Sequence, residues 1–329
     1  MPAIEHRGPR SSRRRFIAIA GAVAGAALLP PSAHARTAVH DWNGVALGAR
    51  ASIRLLHPDA AEARRIIALA VDEIERLERI FSLYRADSAL ARLNREGRLE
   101  PPPLELVELL QRAAAVSEAS GGAFDVTVQP LWRGYQEHFA AGGETAPDLA
   151  ALLPLVGWRR LQVDAERVAF GRPGMAVTLN GIAQGFVTDR VAELLRRNGV
   201  ERVLLDLGEI RGLGSRPDGR GWQVGIADPA EPTHALGALD CSGRAVATSG
   251  GYGTVFDREA RFSHLIDPRR GTTAPTRRGV TVVAAEATLA DAWSTAFSLM
   301  PAAEIRDRAQ AAGGLGVYLA VPGALRRLV

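Results

Sequence analysis

Lysine is absent from this sequence, in which arginine supplies all 40 strongly basic side chains. Mechanisms that need a lysine Schiff base or a lysine general base are therefore excluded. Cysteine is almost absent: Cys241 stands alone, so neither an intrachain disulfide nor a cysteine metal cluster can form. A single cysteine is usually a small buried hydrophobic residue, and we assign Cys241 no function.

A net positive charge is also lacking outside the first 35 residues. The formal net charge of the chain is +4, and residues 1–35 hold five arginines and one glutamate, a net charge of +4 for that segment alone. The rest of the chain is therefore close to neutral, which argues against a nucleic-acid-binding surface. With 329 residues and ample apolar content, the chain can form one large domain or two smaller ones.

The first 35 residues have the layout of an export signal. Arg13-Arg14-Arg15 precedes an uncharged run, rich in alanine and glycine, that extends from Ala18 to Leu29. This run is too short to cross a membrane comfortably, and Ala33-His34-Ala35 supplies the small-x-small pattern of a cleavage site. The paired arginines resemble a twin-arginine signal, whose route carries folded proteins.

We therefore expect a signal peptide over residues 1–35 and a soluble mature domain over residues 36–329 in the periplasm. A non-cleaved membrane anchor is the less favoured alternative. A lipoprotein anchor is excluded because no cysteine follows the signal.

Hydrophobic periodicity predicts several strands in succession, flanked by a few helices. Asp59 is the expected N-cap of a long helix whose apolar face ends at Phe81, and an irregular loop should follow it up to Asn94. Further helices are expected after residues 101–103, after residues 180–185 and near residues 302–312. Strands are expected at residues 45–56, 161–163, 168–170, 175–179, 203–207, 222–227, 246–249, 263–266, 280–284 and 317–321. This order favours an α+β fold with mostly antiparallel or mixed sheets over a doubly wound α/β fold.

The segment Asp291-Ala-Trp-Ser-Thr-Ala296 is the strongest candidate for a chemical site. In a helix, Asp291, Ser294 and Thr295 would lie on one face, at positions i, i+3 and i+4. One carboxylate and two hydroxyls on one face are suitable oxygen ligands for Mg²⁺. A structural alternative stays open, because Thr288 and Asp291 also fit the spacing of a helix capping box.

Other segments each allow a functional and a structural interpretation. Asn180-Gly-Ile-Ala-Gln-Gly185 could bind an anion at a helix N-terminus or form a plain strand–helix turn, and it is neither a P-loop nor a G-x-G-x-x-G motif. Ser249-Gly-Gly-Tyr-Gly253 could be a backbone nest or a surface hairpin. His264 could be a core histidine or face a site. Tyr84 and Phe124 could stack on a planar ligand or pack in the core.

Six short segments between about Ala46 and Met300 carry a family resemblance. They are Phe81-Ser-Leu-Tyr84 with Ser88 and Leu93-Asn94, Gly121-Gly-Ala-Phe-Asp-Val-Thr127, Gly181-Ile-Ala-Gln-Gly185, Ala247-Thr-Ser-Gly-Gly-Tyr252, Ser263-His-Leu-Ile-Asp-Pro268 with Gly271, and Asp291-x-x-Ser-Thr295. No single segment is decisive, but six in collinear order are highly specific. Together they resemble the ApbE family, the FAD:protein FMN transferases.

The resemblance implies a site that binds FAD with Mg²⁺, transfers FMN to a threonine or serine hydroxyl of another protein, and releases AMP. It implies that the metal ion is held by Asp291, Ser294, Thr295 and the carbonyl of Gly181. It implies flavin nucleotide contacts from Leu47, Tyr84, Ala123, Phe124, Asp125, Thr178, Gln184 and Leu265. Asp291 and His264 would be the catalytic residues, with His264 beside the phosphates as a base or a positioning group. Such chemistry needs charge neutralisation and in-line positioning more than covalent help.

The acceptor and two other activities follow from the same resemblance. The sequence resembles the twin-arginine-exported subgroup of the family, which is associated with nitrous oxide respiration. This resemblance suggests a membrane-bound flavoprotein as the acceptor. One alternative is an FAD pyrophosphatase, in which water replaces the acceptor hydroxyl. Another is a non-catalytic FAD-binding assembly factor, because Thr178 and Ser294 stand where the family often has acidic residues.

Overall fold

The computed structural model describes residues 38–329. The expected signal peptide over residues 1–35 lies outside the described residues. Within residues 38–329, no helix combines the length and the apolar character needed to cross a membrane.

The described part of the chain contains strands and helices mixed along the sequence. The strands are β1 (Ala38–Ala46), β2 (Ala49–His57), β3 (Arg98–Leu99), β4 (Leu161–Val163), β5 (Val168–Phe170), β6 (Val203–Asp206), β7 (Ile210–Leu213), β8 (Gln223–Ala227), β9 (Ala235–Asp240), β10 (Ala245–Gly250), β11 (Gly279–Ala284), β12 (Gly316–Val321) and β13 (Ala324–Arg327). The α-helices are α1 (Ala60–Phe81), α2 (Ala89–Glu96), α3 (Leu104–Ala119), α4 (Gln129–Ala140), α5 (Ala183–Arg197), α6 (Ala287–Ser298) and α7 (Ala302–Ala312).

One large sheet organises these elements. Its eight strands follow the order β1-β2-β6-β7-β10-β11-β12-β13, and every neighbouring pair is antiparallel. Two smaller antiparallel sheets, β3-β5-β4 and β8-β9, pack around it. Antiparallel sheets with helices that are not regular crossovers define an α+β fold, so the predicted fold class is confirmed.

The two faces of the large sheet carry different cores. One face packs against α1, α3, α5 and α6 in the largest hydrophobic cluster, which includes Ile53, Ile66, Phe186, Leu205, Val282 and Phe297. The opposite face packs against β8 and β9 through a smaller cluster that includes Trp222, Val224 and Val246. Side chains of a strand alternate between faces, so Ala247 joins the first cluster and Val246 the second.

A third, aromatic cluster lies away from the sheet. Tyr135 and Phe139 of α4 pack against Phe256 and Phe262 of the loop that follows β10, with Tyr135 and Phe256 stacked at 5.2 Å between ring centroids. The Tyr135 hydroxyl donates to the carbonyl of Gly271 at 2.8 Å. These contacts fix the long connection between β10 and β11 to α4.

Several local predictions are confirmed. The Asp59 side chain accepts hydrogen bonds from Ala61 N and Glu62 N and so caps α1, which ends at Phe81. The hairpin of residues 161–170 forms as β4 and β5. Helices α3, α5 and α7 lie where the capping and periodicity signals predicted them.

The predicted strand over residues 45–56 is wrong in one respect, because it is a hairpin of two strands. The chain reverses at Leu47 and Gly48, which have φ values of 48° and 82°, and Ala46 pairs with Ala49 across the turn. A two-residue hairpin of this kind needs positive φ at both positions. Leucine adopts that conformation at an energetic cost, and the Leu47 N–H is held by the carboxylate of Glu78.

The region before the candidate site also differs from the prediction. Helix α2 replaces part of the expected loop, because the Ser88 side chain caps it and Gly97 ends it in a left-handed conformation. Residues 175–179 are extended but join no sheet. The backbone of Val177 is paired with a side chain: Asn94 Nδ2 donates to Val177 O at 2.8 Å, and Val177 N donates to Asn94 Oδ1 at 2.7 Å.

Residues 263–266 likewise form isolated bridges rather than the predicted strand, with Ser263 opposite Val255 and Ile266 opposite Thr273. Strands β7, β9 and β13 were not predicted. They are short or carry mixed polar patterns, so their sequences give little period-two signal.

We predict that Asn94→Ala lowers the free energy of unfolding by about 2 kcal/mol, because it leaves the buried backbone groups of Val177 without partners. Urea unfolding monitored by circular dichroism measures the loss. Asn198→Ala is the control, since Asn198 donates to the Leu194 carbonyl at the end of α5 and its removal should cost clearly less. Equal losses in the two variants would contradict this account of the extended segment.

Candidate active site

The candidate site is formed where the start of α5 approaches α6. A Cβ on Gly185 would lie 2.3 Å from the carbonyl oxygen of Ala287, and one on Gly181 would lie 2.8 Å from Thr295 Oγ1. Only glycine permits backbones to approach so closely. The two glycines of the 181–185 turn therefore let the α5 backbone contact the polar face of α6.

Asp189 of α5 anchors the N-terminus of α6. Its carboxylate accepts hydrogen bonds from Ala287 N at 2.9 Å, from Thr288 N at 2.9 Å and from Thr288 Oγ1 at 2.6 Å. Arg211 of β7 pairs with the same carboxylate. A carboxylate at a helix N-terminus satisfies free N–H groups and interacts favourably with the helix dipole. The cap of α6 thus comes from another helix.

The capping-box interpretation of Thr288 and Asp291 is therefore wrong. Helix α6 begins at Ala287 with Glu286 as its N-cap residue, so Asp291 lies inside the helix rather than in its first turn. The Asp291 carboxylate accepts a hydrogen bond from Gly185 N of α5 at 3.1 Å. It faces the turn of residues 181–185 and not the end of its own helix.

Asp291 lies beside a second buried carboxylate, that of Glu209. Asp291 is 3% exposed and Glu209 is 8% exposed. Burial raises the pKa of Asp291 to about 7; the hydrogen bond from Gly185 lowers it and the charge of Asp189 raises it. Burial also raises the pKa of Glu209 well above its usual range, and the charges of Asp291 and Asp206 raise it further.

No positive side chain compensates these two groups. Among the ion pairs formed by residues 38–329, none includes Asp291 or Glu209. Buried carboxylates are usually paired or bound to a metal ion. The donor set around Asp291, which consists of oxygen atoms only, fits a hard divalent cation such as Mg²⁺. Groups of three or more His, Cys, Asp or Glu side chains with metal-site geometry do not occur in the described residues, so hydroxyl and carbonyl oxygens would have to complete the ligand set.

Three hydroxyls lie around Asp291. Ser294 is fully buried, and its Oγ donates to the carbonyl of Asp291 at 2.9 Å. Ser249 Oγ, on β10, lies 2.7 Å from Ser294 Oγ and 3.2 Å from Thr295 Oγ1. Thr295 is partly exposed and contacts Gly181, so the structure brings together all four residues predicted to hold the metal ion.

The predicted flavin-contacting residues divide into two groups. Phe124 lies at the 181–185 turn: a Cβ on Gly181 would lie 3.4 Å from Phe124 Cε2. Gln184 lies over Gly208, where a Cβ would lie 2.3 Å from Gln184 Nε2. Thr178 precedes this turn and donates its N–H to the carbonyl of Val126 at 2.8 Å. These residues therefore surround the site at the start of α5.

The second group consists of Leu47, Tyr84, Ala123 and Leu265. Leu47 is in the β1–β2 turn against α1, and Tyr84 follows α1 with 76% of its surface exposed. Such exposure excludes core packing as the role of Tyr84. Ala123 and Leu265 are buried, at 1% and 8% exposure.

Asp125 is buried but fully hydrogen-bonded within the fold. Its carboxylate accepts from Thr127 N at 2.8 Å, Thr127 Oγ1 at 2.6 Å and Trp158 N at 2.9 Å. Burial raises the pKa of Asp125, while these hydrogen bonds lower it. The side chain holds the segment after α3 in place, and any nucleotide contact would be made from this fixed position.

His264 lies on the long connection between β10 and β11, and its backbone N–H donates to the carbonyl of Thr254 at 3.0 Å. Its Nδ1 is 2.9 Å from the carbonyl of Thr254, and a carbonyl can only accept, so Nδ1 carries the proton and Nε2 is the acceptor. Burial lowers the pKa of His264, whereas the hydrogen bond to Thr254 raises it. The imidazole is therefore neutral near pH 7, with a basic nitrogen at Nε2.

Comparison with known proteins places the chain in a family. The model of the ApbE family matches residues 47–319. The chain belongs to the ApbE family. The resemblance predicted from the six sequence segments is thus confirmed.

Curated and solved relatives agree with this assignment. An FAD:protein FMN transferase of Klebsiella pneumoniae strain 342 is 30% identical over 269 residues, covering 78% of this chain and 81% of the relative. Another, from Treponema pallidum strain Nichols, is 32% identical over 262 residues and covers 72% of each chain. The apo structure of the flavinyl transferase ApbE of Pseudomonas stutzeri superposes with a TM-score of 0.74 at 25% identity, covering 89% of this chain and 96% of that one.

Three residues of this ApbE site were not assigned from the sequence. Glu209 was given no role, and Asp189 gave no signal, because its role as a cap depends on a helix about 100 residues away. Ser249 belongs to a segment that was interpreted as a backbone nest, while its side chain is the part that contacts α6.

We predict that the metal-free protein loses stability as the pH rises from about 4 to about 7, because folded Asp291 keeps its proton over a range in which the unfolded residue is ionised. With a shift of about 3 pKa units, the loss from this residue is on the order of 4 kcal/mol at most. Urea unfolding in EDTA at several pH values measures it, and Asp291→Asn should reduce the slope. Glu209 should supply the slope that remains, since its pKa is raised as well.

Asp307→Asn, which removes an exposed carboxylate of α7, is the control and should keep the wild-type slope. An Asp291→Asn variant with the full wild-type pH dependence would mean that Asp291 does not hold a proton in the folded protein.

Proposed function

We propose that this chain is an FAD:protein FMN transferase that needs Mg²⁺ and modifies a threonine or serine hydroxyl of an acceptor flavoprotein. The acceptor oxygen attacks the phosphorus attached to the riboflavin unit of FAD, the diphosphate P–O bond breaks, AMP leaves, and the hydroxyl proton goes to a base. The observation that carries this proposal is a pair of buried carboxylates, Asp291 and Glu209, that has no positive partner among the described residues. A cluster of three hydroxyls, those of Ser249, Ser294 and Thr295, lies beside them. Membership of the ApbE family and the names of the curated relatives support it.

Asp291, Thr295, Ser294 and the carbonyl of Gly181 would hold the Mg²⁺ ion. The ion would neutralise the diphosphate of FAD as charge moves to the leaving AMP. The residues of the chain supply a rigid frame for this: Asp189 and Arg211 fix the start of α6, and Gly185 N–H orients the Asp291 carboxylate. Rigid positioning of this kind is a large part of phosphoryl-transfer catalysis.

The flavin nucleotide would lie along the residues around the start of α5 and the end of α1. Tyr84 offers an exposed aromatic face for stacking, and Phe124 lies against the metal-binding turn. Leu47, Ala123, Asp125, Thr178, Gln184 and Leu265 would complete the contacts. Thr178 and Gln184 are neutral, so this part of the site would bind by hydrogen bonds rather than by charge.

His264 would accept the proton of the attacking hydroxyl. Its Nδ1–H is held by the Thr254 carbonyl, which leaves Nε2 as the basic atom. A neutral imidazole at working pH is the state that a general base requires. The lowered pKa keeps it in that state at mildly acidic pH as well.

The location and the acceptor are part of the proposal. The twin-arginine pattern of residues 1–35 supports export to the periplasm in folded form. We propose that the acceptor is a membrane-bound flavoprotein with an accessible threonine or serine.

We predict that Asp291→Ala abolishes FMN transfer while the protein stays folded, because the substitution removes the only carboxylate of the proposed ligand set. The purified protein is incubated with FAD, Mg²⁺ and a candidate acceptor domain, and covalent flavin fluorescence on the acceptor is measured. Asp307→Ala on the exposed face of α7 is the control. Transfer at the normal rate by the Asp291 variant would remove Asp291 from the site.

The same assay separates the proposed activity from two others. Labelled acceptor supports the transferase, whereas free FMN and AMP without label would indicate an FAD pyrophosphatase. Intact FAD in a stoichiometric complex would indicate a non-catalytic binding or assembly factor.

We predict that His264→Ala lowers kcat by about 10²–10⁴-fold, the usual contribution of a positioned general base. The wild-type rate should fall on the acid side only below pH 6.5, because the pKa of His264 is lowered by burial. Rates of transfer between pH 5 and 8 test both points. Unchanged kinetics in the variant would reduce His264 to a packing residue.

A further inference from the structure

Ser249 of β10 makes the closest contacts between the large sheet and the polar face of α6. Its Oγ lies 2.7 Å from Ser294 Oγ and 3.2 Å from Thr295 Oγ1. A second contact is made by Ser298, whose hydroxyl donates to the carbonyl of Ser294 at 2.9 Å and lies 3.2 Å from the carbonyl oxygen of Ser249. Strand β10 and helix α6 are thus held together by hydroxyl groups at the level of the proposed ligands.

The protons in this group can be assigned by counting. Each hydroxyl has one proton, and the Ser294 proton goes to the carbonyl of Asp291, which can only accept. The contact between Ser249 and Ser294 must then use the proton of Ser249. The contact between Ser249 and Thr295 must in turn use the proton of Thr295.

This assignment leaves Thr295 in a defined state. Its proton points to β10, so the lone pairs of Oγ1 point away from Ser249. Gly181 lies next to the same oxygen, and the missing Cβ keeps that neighbourhood open. A hydroxyl binds a cation through its lone pairs, and a proton that pointed to the cation would repel it.

We propose that Ser249 is a positioning residue that accepts the proton of Thr295 and so presents the Thr295 lone pairs to a divalent cation. The inference rests on the proposed function, because it concerns the same metal site. Ser249 acts through Thr295 and does not itself touch the cation. Ser294 supports it as the acceptor that keeps the Ser249 proton away from Thr295.

The neighbouring strand position provides a matched control. Thr248 Oγ1 lies 2.8 Å from Thr281 Oγ1 on β11, so Thr248 also takes part in a hydroxyl pair between elements. Thr248 faces the other side of the sheet, because side chains alternate along a strand and Ser249 faces α6. Thr248→Val therefore removes a comparable side-chain hydrogen bond and keeps the backbone N–H of residue 248, from which the Glu209 carboxylate accepts.

The test measures binding of Mn²⁺ as a substitute for Mg²⁺, with the full chain in the presence of FAD and without an acceptor. The electron paramagnetic resonance signal of free Mn²⁺ reports the affinity independently of turnover. We expect Ser249→Ala to weaken Mn²⁺ binding about tenfold, as is usual for loss of a group that orients a ligand. Ser249→Thr keeps the hydroxyl and should stay within about twofold of wild type, and Thr248→Val should not change the affinity.

A double variant separates positioning from a general structural effect. In a Thr295→Val background, Ser249→Ala should have a clearly smaller further effect, because the hydroxyl through which Ser249 is proposed to act is gone and only its contact with Ser294 remains. An equal loss in both backgrounds, an equal loss in Thr248→Val, or unchanged binding in Ser249→Ala would each overturn the inference while leaving the proposed function intact. Failure of the wild-type protein to bind Mn²⁺ would instead overturn the proposed metal site and the inference with it.

Discussion

The arrangement of the site depends on the close approach of the first turn of α5 to α6. Gly181 and Gly185 allow that approach, and the Asp189 carboxylate, paired with Arg211, fixes the N-terminus of α6 from the same helix α5. Gly185 and Asp189 both belong to α5. The packing of α5 on α6 therefore brings the Asp291 carboxylate to the Gly185 N–H. A side chain at either glycine would separate the helices before it touched any ligand.

The buried acidic residues of this region differ in whether they have a positively charged partner. Asp189 has an arginine partner and a helix N-terminus, whereas Asp291 and Glu209 form no ion pair within residues 38–329. Burial raises the pKa of both, and the charge of Asp291 raises the pKa of Glu209 further. A protein selected only for stability would neutralise such a pair or replace it, since burial of unpaired charge is costly. Buried carboxylates that have raised pKa values and no positive partner are typical of functional sites.

The sequence predicted the features that depend on near neighbours. The face shared by Asp291, Ser294 and Thr295, the Asp59 cap and the α+β class all follow from spacings of a few residues. It did not predict features that depend on distant partners. Asn94 replaces a strand for residues 175–179, Asp189 caps a helix about 100 residues later, and Ser249 contacts Ser294 across 45 positions. The Leu47 turn was missed because leucine rarely adopts a positive φ, and the reason for it, Glu78, is again remote in sequence.

The aromatic cluster on α4 has a consequence for how the active site can vary. Phe256, Phe262 and Ile266, which are close to His264 in sequence, pack with Tyr135 of α4, whereas α6, which carries Asp291, packs in the main core under the sheet. The loop that carries His264 and the helix that carries Asp291 thus belong to parts of the fold that pack in different hydrophobic clusters. Substitutions in α4 would therefore alter the packing of the loop that carries His264 without changing the contacts of α6, so the two parts of the proposed site could vary separately.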